Sequence, residues 1–127
     1  MSCQLRRLTL LVGISTTLSI ETQLTLVTGR GNPRQVGLAR LITDEVSFAY
    51  LTDVYILDEH QGKGLGKFLI KCVDETLSQW PEFKRALLIN SSGSKFYEEA
   101  LGMKKFEQDK DGLAVMTRLG PGSVLKV

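Results

Sequence analysis

The stretch Thr52-Asp53-Val54-Tyr55-Ile56-Leu57-Asp58-Glu59-His60-Gln61-Gly62-Lys63-Gly64-Leu65-Gly66 decides how this chain is read. Its character changes at the midpoint. The run 48–57 is almost continuously apolar, broken by Thr52 and Asp53. Such a run suits a central strand covered on both faces. A polar, glycine-rich segment follows directly. Beyond it, Leu65, Phe68, Leu69, Cys72, Val73, Leu77 and Trp80 recur at helical spacing. Lys63, Lys67, Lys71 and Glu75 take the other side, and Pro81 stops the helix.

A glycine loop between a strand and a helix favours close approach of an anion. Glycine permits sharp turns and removes side-chain obstruction. The first-turn N–H groups of a helix lack intrahelical acceptors and can donate to phosphate oxygens. Lys63 and Lys67 would add positive charge, and Gln61 a neutral donor. Neither common nucleotide pattern matches. Gly62-Lys63 is followed by Gly64 rather than Ser or Thr, and Lys67 stands where a dinucleotide fingerprint needs its third glycine. Taken alone, the three glycines are equally consistent with a tightly packed turn.

Working outward, residues 18–26 alternate as a half-buried strand, and 36–43 read as the next. Gly29, Gly31, Asn32 and Pro33 form a turn between them, which predicts a hairpin. The run Leu8 to Ile14 fits a strand, a short helix or a swapped segment. On the other side, Ala86-Leu87-Leu88-Ile89 reads as a second buried strand. A short helix carries Phe96, Tyr97, Ala100 and Leu101 on one side, with Gly102 as its C-cap. Residues 103–107 and 113–119 close the pattern as an antiparallel hairpin. The expected fold class is therefore α/β.

Two distant segments together resemble one family. Gln61, Gly64 and Gly66 match the Arg/Gln-x-x-Gly-x-Gly/Ala core of the GCN5-related N-acetyltransferase superfamily. The stretch Phe96-Tyr97-Glu98-Glu99-Ala100-Leu101-Gly102-Met103 is similar to that family's aromatic-Tyr-Glu…Leu-Gly-Phe segment, with Met103 replacing the usual Phe. The likeness covers roughly residues 35–119. It implies a mixed, mostly antiparallel central sheet flanked by helices. Residues 1–35 hold little amphipathic helix, so the family's N-terminal helical region is expected to be reduced or divergent. It also implies one acyl-CoA N-acyltransferase domain over residues 1–127.

The same resemblance implies the chemistry. Acetyl-CoA is the expected cofactor, and an acetyl group passes to a primary amine by direct attack in a ternary complex. The Ile56 N–H would bond the acetyl carbonyl as negative charge develops. Gln61, Gly62, Lys63, Gly64, Leu65 and Gly66 would hold the pyrophosphate, with Lys67 assisting. Tyr97 resembles the tyrosine that protonates, or hydrogen-bonds, the departing thiolate. Asn90, at a strand end, is a candidate for the pantetheine arm or for a local cap. An alkyl amine has a pKa near ~10.4, so the nucleophile needs a base or a relaying water. Asp53 and Glu45 are the candidates, with Asp44 behind them. Asp53 also reads as a structural or acceptor-recognising carboxylate. His60 is expected to pack the loop, and Cys72 to be an inert thiol on the apolar helix face. No metal is called for. The alternatives are a noncatalytic acyl-CoA sensor and an interaction module that has lost cofactor binding.

Composition narrows the classes. The chain has 127 residues, a net charge of +2 and two cysteines, Cys3 and Cys72. That charge is too small for a nucleic-acid footprint. The acceptor is expected to be an amine-bearing small molecule or a protein or peptide, and a homodimer is compatible with the short N-terminal region. Arg6-Arg7 before Leu8 faintly resembles a signal peptide, but the apolar part is short and no cleavage site follows. A cytoplasmic or nuclear setting without a membrane is therefore expected.

Overall fold

A computed structural model describes the backbone of residues 2–12, 15–26 and 34–124, and the side chains of residues 35–124. The described residues form a seven-stranded sheet in the order β1-β2-β3-β4-β5-β7-β6. The strands are β1 (Ser2–Val12), β2 (Ser15–Leu26), β3 (Arg34–Thr43), β4 (Phe48–Ile56), β5 (Arg85–Asn90), β6 (Lys104–Gln108) and β7 (Ala114–Leu119). Helix α1 (Leu65–Leu77) links β4 to β5, and α2 (Ser94–Leu101) links β5 to β6. Every pairing is antiparallel except β4–β5. A parallel pair needs a long crossover, and α1 supplies it.

The expected α/β fold class holds, with its mixed, mostly antiparallel sheet flanked by helices. Two long strands, β1 and β2, pair where the family's helices were expected to be reduced. The hairpin of β2 with β3 is antiparallel as expected. The turn expected at Gly29 to Pro33 lies outside the described residues.

Both helices pack on one face of the sheet. Strand side chains alternate between faces. Leu41 stands opposite Leu51, and Leu51 opposite Leu88. These three, with Ala39 and Ala49, are buried against Leu69, Ile70, Val73 and Leu77 of α1. Each fully buried aliphatic side chain contributes about 1.5–3 kcal/mol. Arg118 of β7 reaches up from this face, donating to Asp74 of α1 and to the Leu101 carbonyl of α2 at 3.2 Å.

The other face differs from expectation. Among the described residues no helix covers it, and β4 is not buried on both sides. Ile42 and Phe48 are each 38% exposed, and Ile89 is 53% exposed. The apolar run 48–57 looks doubly buried because Phe48, Tyr50 and Tyr55 are as apolar in composition as the inward Ala49 and Leu51. Helix α1 also ends earlier than its apolar spacing suggests. Ser78 caps it through Asp74, and Trp80 lies beyond, edge-on to Phe83 at 6.0 Å.

Candidate active site

β4 and β5 touch over a short length only. Their register runs from Phe48 opposite Arg85 to Leu51 opposite Leu88, and then stops. β5 stays with β7 as far as Asn90. β4 stays with β3 but gains an extra residue: Leu38 faces Tyr55, while Arg40 faces Thr52. This is a β-bulge, which bends and twists the bulged strand. Asp53 sits in it with φ 54, a left-handed conformation that Asp tolerates better than most residues. The sheet therefore splays open beyond Leu51.

The amide of Ile56 points into this splay. Ile56 stands opposite Gly37, and the next amide, Leu57 N–H, donates to the Val36 carbonyl at 2.9 Å. Successive amides of a strand point to opposite sides. The Ile56 N–H therefore faces away from β3, towards the gap that β5 has left.

The glycine loop forms the upper wall. A 3₁₀ turn over Asp58–His60 reverses the chain after β4. Gln61 holds that turn closed: its backbone N–H donates to the Asp58 carbonyl, and its side-chain Nε2 donates to the Ile56 carbonyl at 3.0 Å and to Asp58 Oδ1 at 3.1 Å. Gln61 thus spends its donors inside the loop. Gly62 and Gly64 have φ of 77° and 78°, a region costly for other residues. Gly64 caps α1, and the first helical bond runs from Phe68 N–H to its carbonyl. Among the described residues, the N–H groups of residues 62–67 find no backbone acceptor. Those of the first helical turn lie at the positive end of the helix dipole, where an anion is favoured.

Two cavities meet at Val54. The first, of about 260 Å³, is bounded by Val54, Tyr55, Ile56, His60, Gln61, Gly62, Gly64, Leu65, Gly66 and Phe96. The second, of about 220 Å³, lies in the splay between Leu51, Thr52, Asp53, Val54, Leu88, Ile89 and Tyr97. Tyr97 is brought there by α2, whose start is set by Gly93. Burial pushes its hydroxyl above the ordinary tyrosine pKa, which keeps the phenol protonated and able to donate. Its ring meets Phe96 edge-on at 5.2 Å.

The structure thus brings together Asp53, Ile56, Gln61, Gly62, Gly64, Leu65, Gly66 and Tyr97. Lys63 is exposed on the loop, and Lys67 lines a shallow recess with Phe96, Glu99 and Ala100. Asn90 Nδ2 donates to the Ser92 carbonyl at 2.7 Å and to Ser94 Oγ at 3.3 Å, an arrangement that ties the loop before α2. His60 packs the loop, its side chain only 15% exposed.

Glu45 is not brought to this site. It lies in the turn before β4, separated from Ile56 by the length of the strand, roughly 25 Å at a strand's rise per residue. Asp44 occupies the same turn. Cys72 is disulfide-bonded rather than the free thiol expected of it; the chain's other cysteine, Cys3, lies outside the described side chains. Three further residues were given no site role from the sequence. Val54 follows from Ile56 by the period of a strand, and Phe96 from its place beside Tyr97. Arg40, whose Nη1 lies 2.9 Å from Asp53 Oδ2, has no local signal because the contact crosses the bulge between strands.

The sequence profile of the Acetyltransferase (GNAT) family matches residues 14–103, and the chain belongs to this family. A protein of Gibberella zeae named as a candidate acetyltransferase is 42% identical over 91 residues, covering 70% of this chain and 51% of that protein. A soybean (Glycine max) protein named as a histone acetyltransferase is 35% identical over 88 residues, covering 69% of this chain and 36% of that protein. The chain thus spans about half the length of the first relative and about a third of the second. Among solved structures, a Vibrio cholerae spermidine N-acetyltransferase in complex with CoA and spermine superposes with a TM-score of 0.59 at 20% identity, over 80% of this chain and 65% of that one. A Klebsiella pneumoniae acyl-CoA N-acyltransferase fold gives 0.60 at 18% identity, over 80% and 72%. At such identities the likeness is one of fold.

Proposed function

We propose that the chain transfers an acetyl group from acetyl-CoA to a primary amine, by direct attack with both substrates bound. The observation that carries this reading is the splay: an inward-facing Ile56 N–H lies between an amide cradle on one side and a neutral, partly buried Tyr97 on the other. The cradle suits a pyrophosphate because residues 62–67 offer backbone N–H groups, and glycine at 62, 64 and 66 brings no side chain to its mouth.

When bound, acetyl-CoA supplies a thioester whose C–S bond breaks as the new C–N bond forms, with the thiol and one proton released. Ile56 N–H is the donor aimed at the carbonyl oxygen, where charge develops. Tyr97 Oη gives a proton to the leaving sulfur and is reprotonated from water. Gln61 shapes the cradle by holding the turn at Asp58. Lys63 and Lys67 add charge at its rim, and Asn90 sets the loop from which α2 carries Tyr97. Asp53, which borders the same cavity as Tyr97, serves in this proposal as the carboxylate that receives the amine's proton. The disulfide at Cys72 removes the thiolate that an acyl-cysteine route would need. Calorimetric titration with acetyl-CoA, against ATP as control, tests this directly. Selective binding followed by amine-dependent thiol release supports the proposal, and absence of acetyl-CoA binding sinks it.

A further inference from the structure

Ile56 ends β4, past the point where pairing with β5 stops. The N–H and C=O of a strand residue point to the same side, and in a complete sheet the next strand takes both. Leu57 N–H turns to the Val36 carbonyl of β3 at 2.9 Å. The Ile56 carbonyl, on the same trans peptide, therefore faces away from β3, on the side of the Ile56 N–H. Gln61 reaches it where β5 does not: its Nε2 donates to the Ile56 carbonyl at 3.0 Å. The accepting half of this open edge is thereby filled, and the donating half is left for an incoming oxygen.

Gln61 has no donor left to give a phosphate. Its Nε2 also donates to Asp58 Oδ1 at 3.1 Å, and its backbone N–H to the Asp58 carbonyl at 3.2 Å. A primary amide carries two N–H donors and one oxygen that only accepts. That oxygen would meet phosphate oxygens acceptor to acceptor. Resting on the reading above, we infer that Gln61 is a positioning residue: its side chain fixes the Ile56 N–H that receives the acetyl carbonyl, and does not hold the pyrophosphate.

A donor lowers a barrier most when it is aimed before charge develops. A strand end held from one side only is free to swing. Here the Ile56–Leu57 peptide is held at both of its polar atoms, by Val36 on one side and Gln61 on the other. The Ile56 N–H then points into the gap without reorganising. A single exposed hydrogen bond contributes little to the stability of the whole fold. Its effect falls on direction instead.

The test is isotope-edited infrared spectroscopy of carbonyl-labelled acetyl-CoA bound to the full chain at saturation, with calorimetric titration of acetyl-CoA beside it. A donated hydrogen bond lowers a carbonyl stretch, so the bound thioester should absorb at lower frequency than the free one. Gln61→Met keeps the side-chain length and removes the donors. It should lose that shift while acetyl-CoA affinity stays within about threefold of wild type. Gln61→Glu, which sets an oxygen where Nε2 stood, should lose the shift as well, and Gln61→Arg, which supplies a donor again, should recover it. Circular dichroism checks the folding of each variant, and Gln61→Glu decides where Gln61→Met is unfolded. A shift that persists without the Gln61 donors, or no shift in the wild type, overturns the inference. Absence of acetyl-CoA binding by the wild type removes the transferase reading and this inference together. Binding with the same shift in wild type and variants removes the inference alone.

Discussion

The two ends of β4 solve opposite problems. At its start, the turn before Phe48 is closed upon itself. Asp44 Oδ1 accepts from the N–H groups of Val46, Ser47 and Phe48 at 3.0, 2.8 and 3.1 Å, and Oδ2 from the Ser47 hydroxyl. Thr43 Oγ1 donates to the Phe48 carbonyl at 2.6 Å, and Lys84 N–H bonds the Ser47 carbonyl at 2.7 Å, tying the turn to β5. At the other end a bulge drives β4 away from β5, and amides are left facing a cavity. A strand whose polar groups are satisfied at one end and left open at the other has a ready direction for a ligand.

Substitutions at the open end should abolish function with little loss of fold. The largest effect is expected from Gly66→Trp. A Cβ on Gly66 would meet Phe96 Cζ at 3.7 Å, so the backbone tolerates a side chain, but an indole would fill the first cavity. Acetyl-CoA affinity should fall by roughly a thousandfold, about 4 kcal/mol, in calorimetry, while the circular dichroism spectrum stays native. Tyr97→Phe comes next. Loss of a positioned acid should lower kcat by about a hundredfold, with acetyl-CoA affinity changed by less than about twofold. An unchanged kcat would remove Tyr97 from the chemistry and leave it a wall of the cavity.

Smaller effects should separate the two ends by stability. Gly64→Ala places a Cβ at φ 78, where nothing crowds it but the backbone conformation is disfavoured. A loss of about 1–2 kcal/mol is expected in urea denaturation, together with weaker acetyl-CoA binding. Asp44→Ala should cost only about 1 kcal/mol, given the exposure of the turn, and leave acetyl-CoA affinity unchanged. Its signature is pH. Burial alone would raise the Asp44 pKa, but the Ser47 hydroxyl and the three amides outweigh it and hold the carboxyl well below the usual range. The stabilisation is therefore complete above the unfolded carboxylate value of ~3.9 and fades as pH falls towards the lower folded value. The stability gap between wild type and Asp44→Ala should be constant from pH 7 to about 5 and narrow below about 4. A gap independent of pH would mean the turn is held by packing rather than by the carboxylate.

Much of this was legible in sequence. The helical spacing after Gly64 placed α1, because an amphipathic face repeats at every turn. Gly102 marked the end of α2, and its φ of 69° explains why glycine stands there. The paired motifs around Gln61 and Tyr97 picked out residues that the fold sets around two adjoining cavities. Other features were not legible, for physical reasons. Thr52 and Asp53 interrupt the apolar run where the bulge lies, but a polar break does not by itself tell a bulge from an exposed face, so the splay and the φ of Asp53 were not legible. Arg40 lies a strand away from Asp53 and meets it only because of that bulge. Glu45 stood beside Asp53 as a candidate, since both are carboxylates near an apolar strand. Only the direction of β4 separates them. The number of faces covered on β4 depended on helices elsewhere in the chain, which its own residues do not encode.

Past the last strand, Gly120 N–H donates to the Lys84 carbonyl at 3.0 Å and Gly122 N–H to the Phe83 carbonyl at 2.8 Å. A Cβ on Gly120 would lie 2.3 Å from the Phe83 carbonyl oxygen, and one on Gly122 would lie 2.5 Å from that of Glu82. Phe83 is itself 1% exposed, so it has nowhere to retreat. For anyone redesigning this chain, the least negotiable letters are therefore not confined to the loop that attracts attention. A library free to vary residues 120 and 122 should return glycine at both, and a graft of this domain onto another protein should keep that seam whole.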